Sequence, residues 1–349
     1  MLAITEMLQQ VIDQEGSDLH LIAGQPPTLR IHGILTPIQG QEPMLPQDME
    51  SLITPLFSPE QKELFSVNKE VDFSYQYQQF GRFRVNVYQQ RGIIAAALRL
   101  IPSRIKTIEE LGLPPVCHTF ANLRQGLVLV TGPTGHGKSS TLAAIIDEIN
   151  HNRGEHILTI EDPVEFLYEP VKSLISQREL HSDTHSWDIA LKSALREDPD
   201  VVLVGEMRDF ETIAAALTIA ETGHLVFATL HTNSASQTID RIIDVFSADQ
   251  QAQIRSQLAM VLAGIFSQRL IPSLQGGRVI AAEVLMATPA VRNLIREAKA
   301  FQLDNVIQTS SEAGMITLNA SLGQLLQQGL ISEDRAIEYG YKAEGSIHT

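Results

Sequence analysis

Residues 132–139 constrain this chain more than any other stretch. Gly132-Pro133-Thr134-Gly135-His136-Gly137-Lys138-Ser139 fits the pattern of Gly, four residues, Gly-Lys and then Ser or Thr. A short apolar β-branched run at 127–130 precedes it. Residues 140–149, rich in Ala, Leu and Ile, follow it and read as a helix. Strand, glycine-rich turn and helix together give the pattern its meaning. The glycines let backbone N–H groups converge on phosphate oxygens, and the helix N-terminus adds positive potential. Lys138 can reach the outer phosphates, the Ser139 hydroxyl can ligate Mg²⁺, and Ser140 closes the binding segment.

The rest of the composition sets bounds. With 349 residues, 44% of them hydrophobic and 19% charged, the chain is long enough for two domains and globular in character. A formal net charge of −15 argues against a surface that coats nucleic acid, so no stable nucleic-acid binding is expected. The single cysteine, Cys117, excludes an internal disulfide framework and suits a reducing compartment. Residues 1–15 lack the basic n-region of a secretory signal, and no apolar run approaches membrane-spanning length. Membrane association is therefore expected only through a partner.

Two regions of different grammar meet near residues 101–115. The first, residues 1–100, opens with an amphipathic helix in which Met7, Leu8, Val11 and Ile12 share a face and Gly16 is expected to supply the stop. Short strands are predicted at 19–22 and 28–31, with a turn at His32-Gly33, then a helical stretch over 46–65 broken by Pro55 and restarted at Ser58-Pro59-Glu60. Val71, Phe73, Tyr75 and Tyr77 alternate, as do Phe83, Val85 and Val87, and Ile94, Ala96, Leu98 and Leu100. This predicts a small antiparallel α+β domain. Prolines flank the linker over 101–115. Beyond it, residues 116–349 read as an α/β nucleotide-binding domain with buried parallel strands at 127–130, 156–160, 201–204 and 225–229, and a helical tail including 290–300 and 318–328.

A phosphate-binding loop needs a partner that organises Mg²⁺ and water, usually an acid at the end of a neighbouring buried strand. Val201-Val202-Leu203-Val204-Gly205-Glu206 ends in such an acid, with Gly205 where an Asp is familiar. Glu161-Asp162-Pro163-Val164-Glu165 follows another predicted strand and can hold Mg²⁺ through its waters or draw a proton from an attacking water. Read structurally, the same segment is a solvated Asp-Pro turn. His224 and His231 bracket the strand at 225–229 and can sense a phosphate or tie the site to a neighbour; two ordinary surface histidines is the plainer reading. His181 and His185 could share a helix face, but no third ligand stands out for a metal. Arg84 and Arg99 lie on strands whose alternate residues are apolar, and by themselves read as exposed arginines on a polar strand face.

These pieces together resemble the secretion and pilus motor ATPases and, more narrowly, the type IV pilus retraction ATPases of the PilT family. The resemblance covers nearly the whole chain. It rests on the P-loop, on residues 160–165 (the family's Asp box), on 198–209 (its Walker B), on 220–233 (its His box), on Ala290-Val291-Arg292-Asn293-Leu294-Ile295-Arg296-Glu297 and on Gly314-Met315-Ile316-Thr317-Leu318. It implies a PAS-like N-terminal domain joined to a RecA-like P-loop NTPase core, a homohexamer, ATP and Mg²⁺ as cofactors, and ATP entering between the two domains. By the same resemblance Glu165 matches the general base and Glu206 the acid associated with Mg²⁺ and water. His224 and His231 match the His-box pair, and Arg84 and Arg99 the arginines that approach the phosphates, where a planar, permanently charged fork pairs with phosphate oxygens. The implied partners are an inner-membrane pilus platform protein and other pilus motor ATPases, and the implied location is cytoplasmic, at the inner face of that membrane. His136 stands where this family usually has Ser, and the chain lacks the four-cysteine insertion of type II secretion and many extension ATPases, which favours retraction. An accessory paralogue of the PilU group, a DNA-translocating P-loop motor and a non-hydrolysing nucleotide sensor are the competing readings.

Overall fold

The computed structural model describes residues 2–78, 81–102 and 104–342. Ser103 of the expected linker and residues 343–349 of the expected tail lie outside the described residues. The chain divides into two compact units. Unit 1 takes in Met1–Arg104 and Pro163–Leu167, and unit 2 Ile105–Asp162 and Tyr168–Thr349.

Unit 1 is built on six antiparallel strands, β1 (Gly16–Leu21), β2 (Thr28–Ile31), β3 (Ile34–Pro37), β4 (Glu70–Tyr77), β5 (Gly81–Gln90) and β6 (Ile93–Ile101), in the spatial order β3-β2-β1-β6-β5-β4. Alternation decides which face is buried. Phe83, Val85 and Val87 point into the core with Phe73, Leu98 and Leu19, while the residues between them face outward. Helix Ile4–Asp13 closes this core with Met7, Leu8 and Val11. Gly16 does not stop that helix: it opens β1, and Glu15, at φ +52°, takes the left-handed turn instead. The His32-Gly33 turn joins β2 to β3 with both residues at positive φ, as a tight hairpin turn demands. Pro55 interrupts the helical stretch as expected. Ser58 then caps helix Pro59–Asn68, accepting the Gln61 N–H while the Gln61 side chain accepts the Ser58 N–H.

Unit 2 carries a seven-stranded sheet of β7 (Gly126–Thr131), β8 (His156–Glu161), β9 (Leu174–Glu179), β10 (Val201–Val204), β11 (Leu225–Leu230), β12 (Leu262–Pro272) and β13 (Arg278–Met286), in the order β13-β12-β7-β11-β10-β8-β9. All neighbours are parallel except β12 and β13. Every residue of β7, β10 and β11 is buried, which is why they read as unbroken apolar runs. Sequence patterning finds β7, β8, β10 and β11 but misses β9, β12 and β13. In β12 the polar run Ser267-Gln268-Arg269 breaks the apolar signal. His181 and His185 do not share a helix face: they sit in the turn after β9, where Leu180 bridges Thr184 and His181 has φ +66°. Tail helices form at Pro289–Arg296 and Leu318–Gln327, the first ending short of the expected 290–300 because the chain turns with Ala298 at φ +57°.

Candidate nucleotide site

In a parallel sheet the carboxyl ends of all strands share one edge, and loops leaving that edge converge. Register fixes which residues meet here. Thr131 of β7 pairs with Leu230 of β11, and Val204 of β10 pairs with Ala228 and Ile160. Gly132, His231, Gly205 and Glu206 therefore leave the sheet side by side. His224 does not join them. It precedes β11 at the amino edge, where its carbonyl accepts the Gly126 N–H at 3.0 Å and its Nδ1 lies 2.9 Å from the Ile219 carbonyl. A strand of this length separates the two histidines by roughly 20 Å.

The loop between β7 and helix Lys138–Asn152 needs its glycines. Gly135 and Gly137 have φ of +78° and +82°, and a Cβ on Gly132 would run into the Gln268 carbonyl oxygen. Gly137 is the N-cap of the helix, so Lys138, Ser139 and Ser140 occupy its first turn. Lys138 is buried. Its Nζ donates to the carbonyls of Gly132 (2.9 Å) and Pro133 (3.1 Å) and lies 3.4 Å from His231 Nδ1. Thr134 Oγ1 is 3.3 Å from the same nitrogen. His231 Nε2 reaches Glu206 Oε1 at 3.0 Å. One imidazole thus bridges Glu206 through Nε2 and the lysine and threonine through Nδ1. The Arg208 fork donates to both Glu206 oxygens, at 2.6 and 2.7 Å. Burial pushes the Glu206 carboxyl upward, but the hydrogen bond from Arg208 and the pull of His231 outweigh it and hold the group below the usual carboxylate range. Glu206 is thus an ionised carboxylate joined through one imidazole to the P-loop lysine.

Glu161 stands at this same strand edge, and Glu165, Arg84 and Arg99 belong to unit 1. Glu161 ends β8, buried, and accepts from Thr159 Oγ1 at 2.7 Å. Glu165 is exposed, in the Pro163–Leu167 segment that groups with unit 1. Arg84 and Arg99 stand directly opposite each other on β5 and β6, on the polar face. Each has an acidic partner: Arg84 Nη2 meets Asp72 at 3.2 Å and Arg99 Nε meets Asp18 at 2.9 Å.

Sequence reasoning missed the residues that hold the loop from behind. Gln268 Nε2 donates to the His136 carbonyl (2.5 Å), the Leu270 N–H donates to His136 Nδ1 (2.9 Å), and Arg278 Nη1 donates to the Gly135 carbonyl (3.2 Å). Thr131 Oγ1 and Ser267 Oγ, both buried, lie 2.7 Å apart. The available signal was the polar run inside β12. His136 sits below the usual imidazole range because of its burial first and then the charges of Arg269, Arg278 and Lys138.

This fold and this strand-edge cluster define a P-loop nucleotide-binding protein. A family model described as type II/IV secretion system protein matches residues 82–276. The chain is 50% identical over 335 residues to the type IV pilus retraction ATPase PilT of Pseudomonas aeruginosa, covering 96% of this chain and 97% of that protein. It is 38% identical over 339 residues to the type IV pilus ATPase PilU of the same organism, covering 97% of this chain and 88% of that one. A crystal structure of the pilus retraction motor PilT with bound ADP matches with a TM-score of 0.91 at 46% identity, covering 98% of both chains. The chain belongs to the PilT family of type II/IV secretion system ATPases. Among the described residues, no helix is long and apolar enough to cross a membrane.

Proposed function

We propose that this chain is an ATP-hydrolysing hexameric motor that powers type IV pilus retraction, and so twitching motility, by pilus disassembly. The observation that carries this reading is the continuous contact path from Lys138 through His231 to Glu206 at the mouth of the P-loop. It joins a phosphate-binding cation to an ionised acid, the pairing that phosphoryl transfer needs. The near full-length likeness to a retraction ATPase supplies the mechanical role. The accessory PilU-like reading is less supported, because the likeness to PilU is the weaker of the two.

ATP is the nucleotide. The P-loop amides of residues 132–140 and Lys138 hold its phosphates, and the lysine exchanges the Gly132 and Pro133 carbonyls for phosphate oxygens. The donor set suits Mg²⁺. The Ser139 hydroxyl and the Glu206 carboxylate are hard oxygen donors, and among the described residues no group of three or more His, Cys, Asp or Glu forms a protein cage. Mg²⁺ is normally held by few protein ligands, waters and substrate phosphates, and when bound it neutralises charge on the transferring group. Glu165 orients or deprotonates the attacking water, and Arg84 and Arg99 supply positive charge to the phosphoryl group; the family resemblance supports both assignments. His231 couples the P-loop to Glu206, whereas the role of His224 is at the amino edge of β11, beside Ile219 and Gly126. Unit 1 is read as PAS-like and unit 2 as RecA-like. Work passes to an inner-membrane platform protein at the cytoplasmic face, alongside the other pilus motor ATPases.

Deleting the gene in its host and imaging pili tests the role directly. Many long pili that never shorten are the expected result. Loss of pili would assign the chain to extension, and ATPase activity stimulated by DNA with steep salt dependence would favour a DNA translocase.

A further inference from the structure

We propose that Gln268, on β12 and outside the P-loop, is a positioning residue for phosphate binding: its buried carboxamide sets the orientation of the His136–Gly137 peptide.

Gln268 is fully buried, on a sheet whose buried side chains are mostly apolar. A buried carboxamide is costly unless both of its ends are satisfied. Here both are. Oε1 accepts from Thr141 Oγ1 at 2.8 Å, in the P-loop helix, and Nε2 donates to the His136 carbonyl at 2.5 Å, in the loop itself. One side chain thus ties the helix start and the loop apex to the same strand. Asparagine is a methylene shorter and could not span both, and glutamate would set a second acceptor against the His136 oxygen.

The consequence follows from peptide geometry. In a planar trans peptide the C=O and the following N–H point in opposite directions. With the His136 carbonyl drawn onto Gln268, the Gly137 N–H is turned away from β12, toward the concave side of the loop where an anion would sit. The same strand seals the rear of the loop. The Leu270 N–H holds His136 Nδ1, and a Cβ on Gly137 would press on the Leu270 side chain at 3.1 Å. Gly132 is tighter still: a Cβ there would collide with the Gln268 carbonyl oxygen. Gln268 thereby arranges the donor before any phosphate arrives, which lowers the ordering cost of binding.

Preorganisation of this kind acts equally on ground state and transition state. Its loss raises KM and Kd and leaves kcat alone, whereas a merely structural role would lower the folded fraction and reduce apparent kcat with KM unchanged. The test uses the purified full chain with Gln268→Glu, Gln268→Met and Thr141→Val, measured by ADP calorimetry and steady-state ATP hydrolysis. Both Gln268 variants are expected to raise the Kd for ADP and the KM for ATP about tenfold, the scale of one or two lost hydrogen bonds, with kcat within about twofold. Thr141→Val keeps the His136 contact and is expected to cost about threefold. Should Gln268→Glu fail to fold, Gln268→Met, close in volume and uncharged, decides. Wild-type Kd and KM in Gln268→Met, or a fall in kcat alone, would overturn the inference. Since it rests on the P-loop being the nucleotide site, Lys138→Ala is run alongside. If Lys138→Ala binds ADP like wild type, both readings fall; if it loses ADP while Gln268→Met keeps it, only the assignment of Gln268 falls.

Discussion

The two units place their charged residues by opposite rules. In unit 2 the strands β7 and β11 are buried on both faces, so a side chain that touches the nucleotide must wait for the strand to end. Gly132, Glu206 and His231 all lie just beyond such ends, and register alone brings them together. In unit 1 the sheet has one open face, and its candidate residues sit in the middle of strands. Arg84 and Arg99 are cross-strand partners flanked by the buried Phe83, Val85 and Leu98. The arginines are open to solvent, Arg99 more than Arg84, and each shares its charge with an aspartate, whereas Lys138 is buried against carbonyls. A doubly covered parallel sheet concentrates chemistry at one edge; a half-open antiparallel sheet can display it along a face.

The contrast is broken most sharply at Lys138. Lys138→Ala removes the buried cation of the strand-edge site, and steady-state phosphate release is expected to fall below detection. Release at the wild-type rate would mean that the edge of unit 2 is not where phosphate is held. Arg84→Ala and Arg99→Ala probe the other unit, with an expected loss of about 10³ in kcat if these side chains serve the phosphoryl group. ADP affinity measured by calorimetry should change little. A wild-type kcat would leave them as the surface ion pairs they form in unit 1, worth little.

Glu165→Gln is expected to bind ATP and to lose about 10² in turnover, measured by single-turnover hydrolysis. If turnover survives there but is lost in Glu206→Gln, the proton-accepting role moves to the carboxylate that Arg208 and His231 already keep ionised.

The smallest effects sharpen the comparison within unit 2, where the pKa values of two histidines are shifted in opposite directions. His118 Nδ1 meets Glu148 at 2.8 Å and Nε2 meets Glu109 at 3.2 Å. The Glu148 hydrogen bond leads in raising His118 above the usual imidazole value of 6.5, against an opposing burial effect. Its contribution to stability is complete below 6.5 and is lost as pH rises through the raised value. His136 is lowered, so its contribution is present above 6.5 and is lost as pH falls through the lowered value, when Nδ1 takes a proton and can no longer accept from Leu270. Melting temperatures across pH should show His118→Gln differing from wild type on the acid side and His136→Gln differing on the neutral side. The reverse order would refute both assignments.

Much of unit 2 was legible because its signals are contiguous. A P-loop is one octapeptide, and β7, β10 and β11 announce themselves as apolar runs. Gly205, in the place of a familiar acid, has a reason that only the paired strand shows: a Cβ there would approach the Glu161 Cα at 3.2 Å. The helix stop near Gly16 was misplaced because Glu15 takes the left-handed conformation that glycine usually holds. Among the strands that the pattern misses in unit 2, β12 carries polar residues whose partners lie far away in sequence. Gln268 reads as a fault in an apolar strand until Thr141 and His136 are seen beside it.

The amino-acid order alone settled what is chemically local: a glycine-rich turn between strand and helix, a lysine and serine at the helix start, acids after apolar runs, and alternation that leaves Arg84 and Arg99 on an outer face. Tertiary structure alone decided which of those groups meet. Strand order put His231 beside the P-loop and His224 at the other edge, joined Glu206 to Arg208 and His231, and set Gln268 behind the loop. The reason is that backbone conformation depends on near neighbours, whereas hydrogen-bond partners across a sheet depend on the order and register of strands, which no short window of sequence contains.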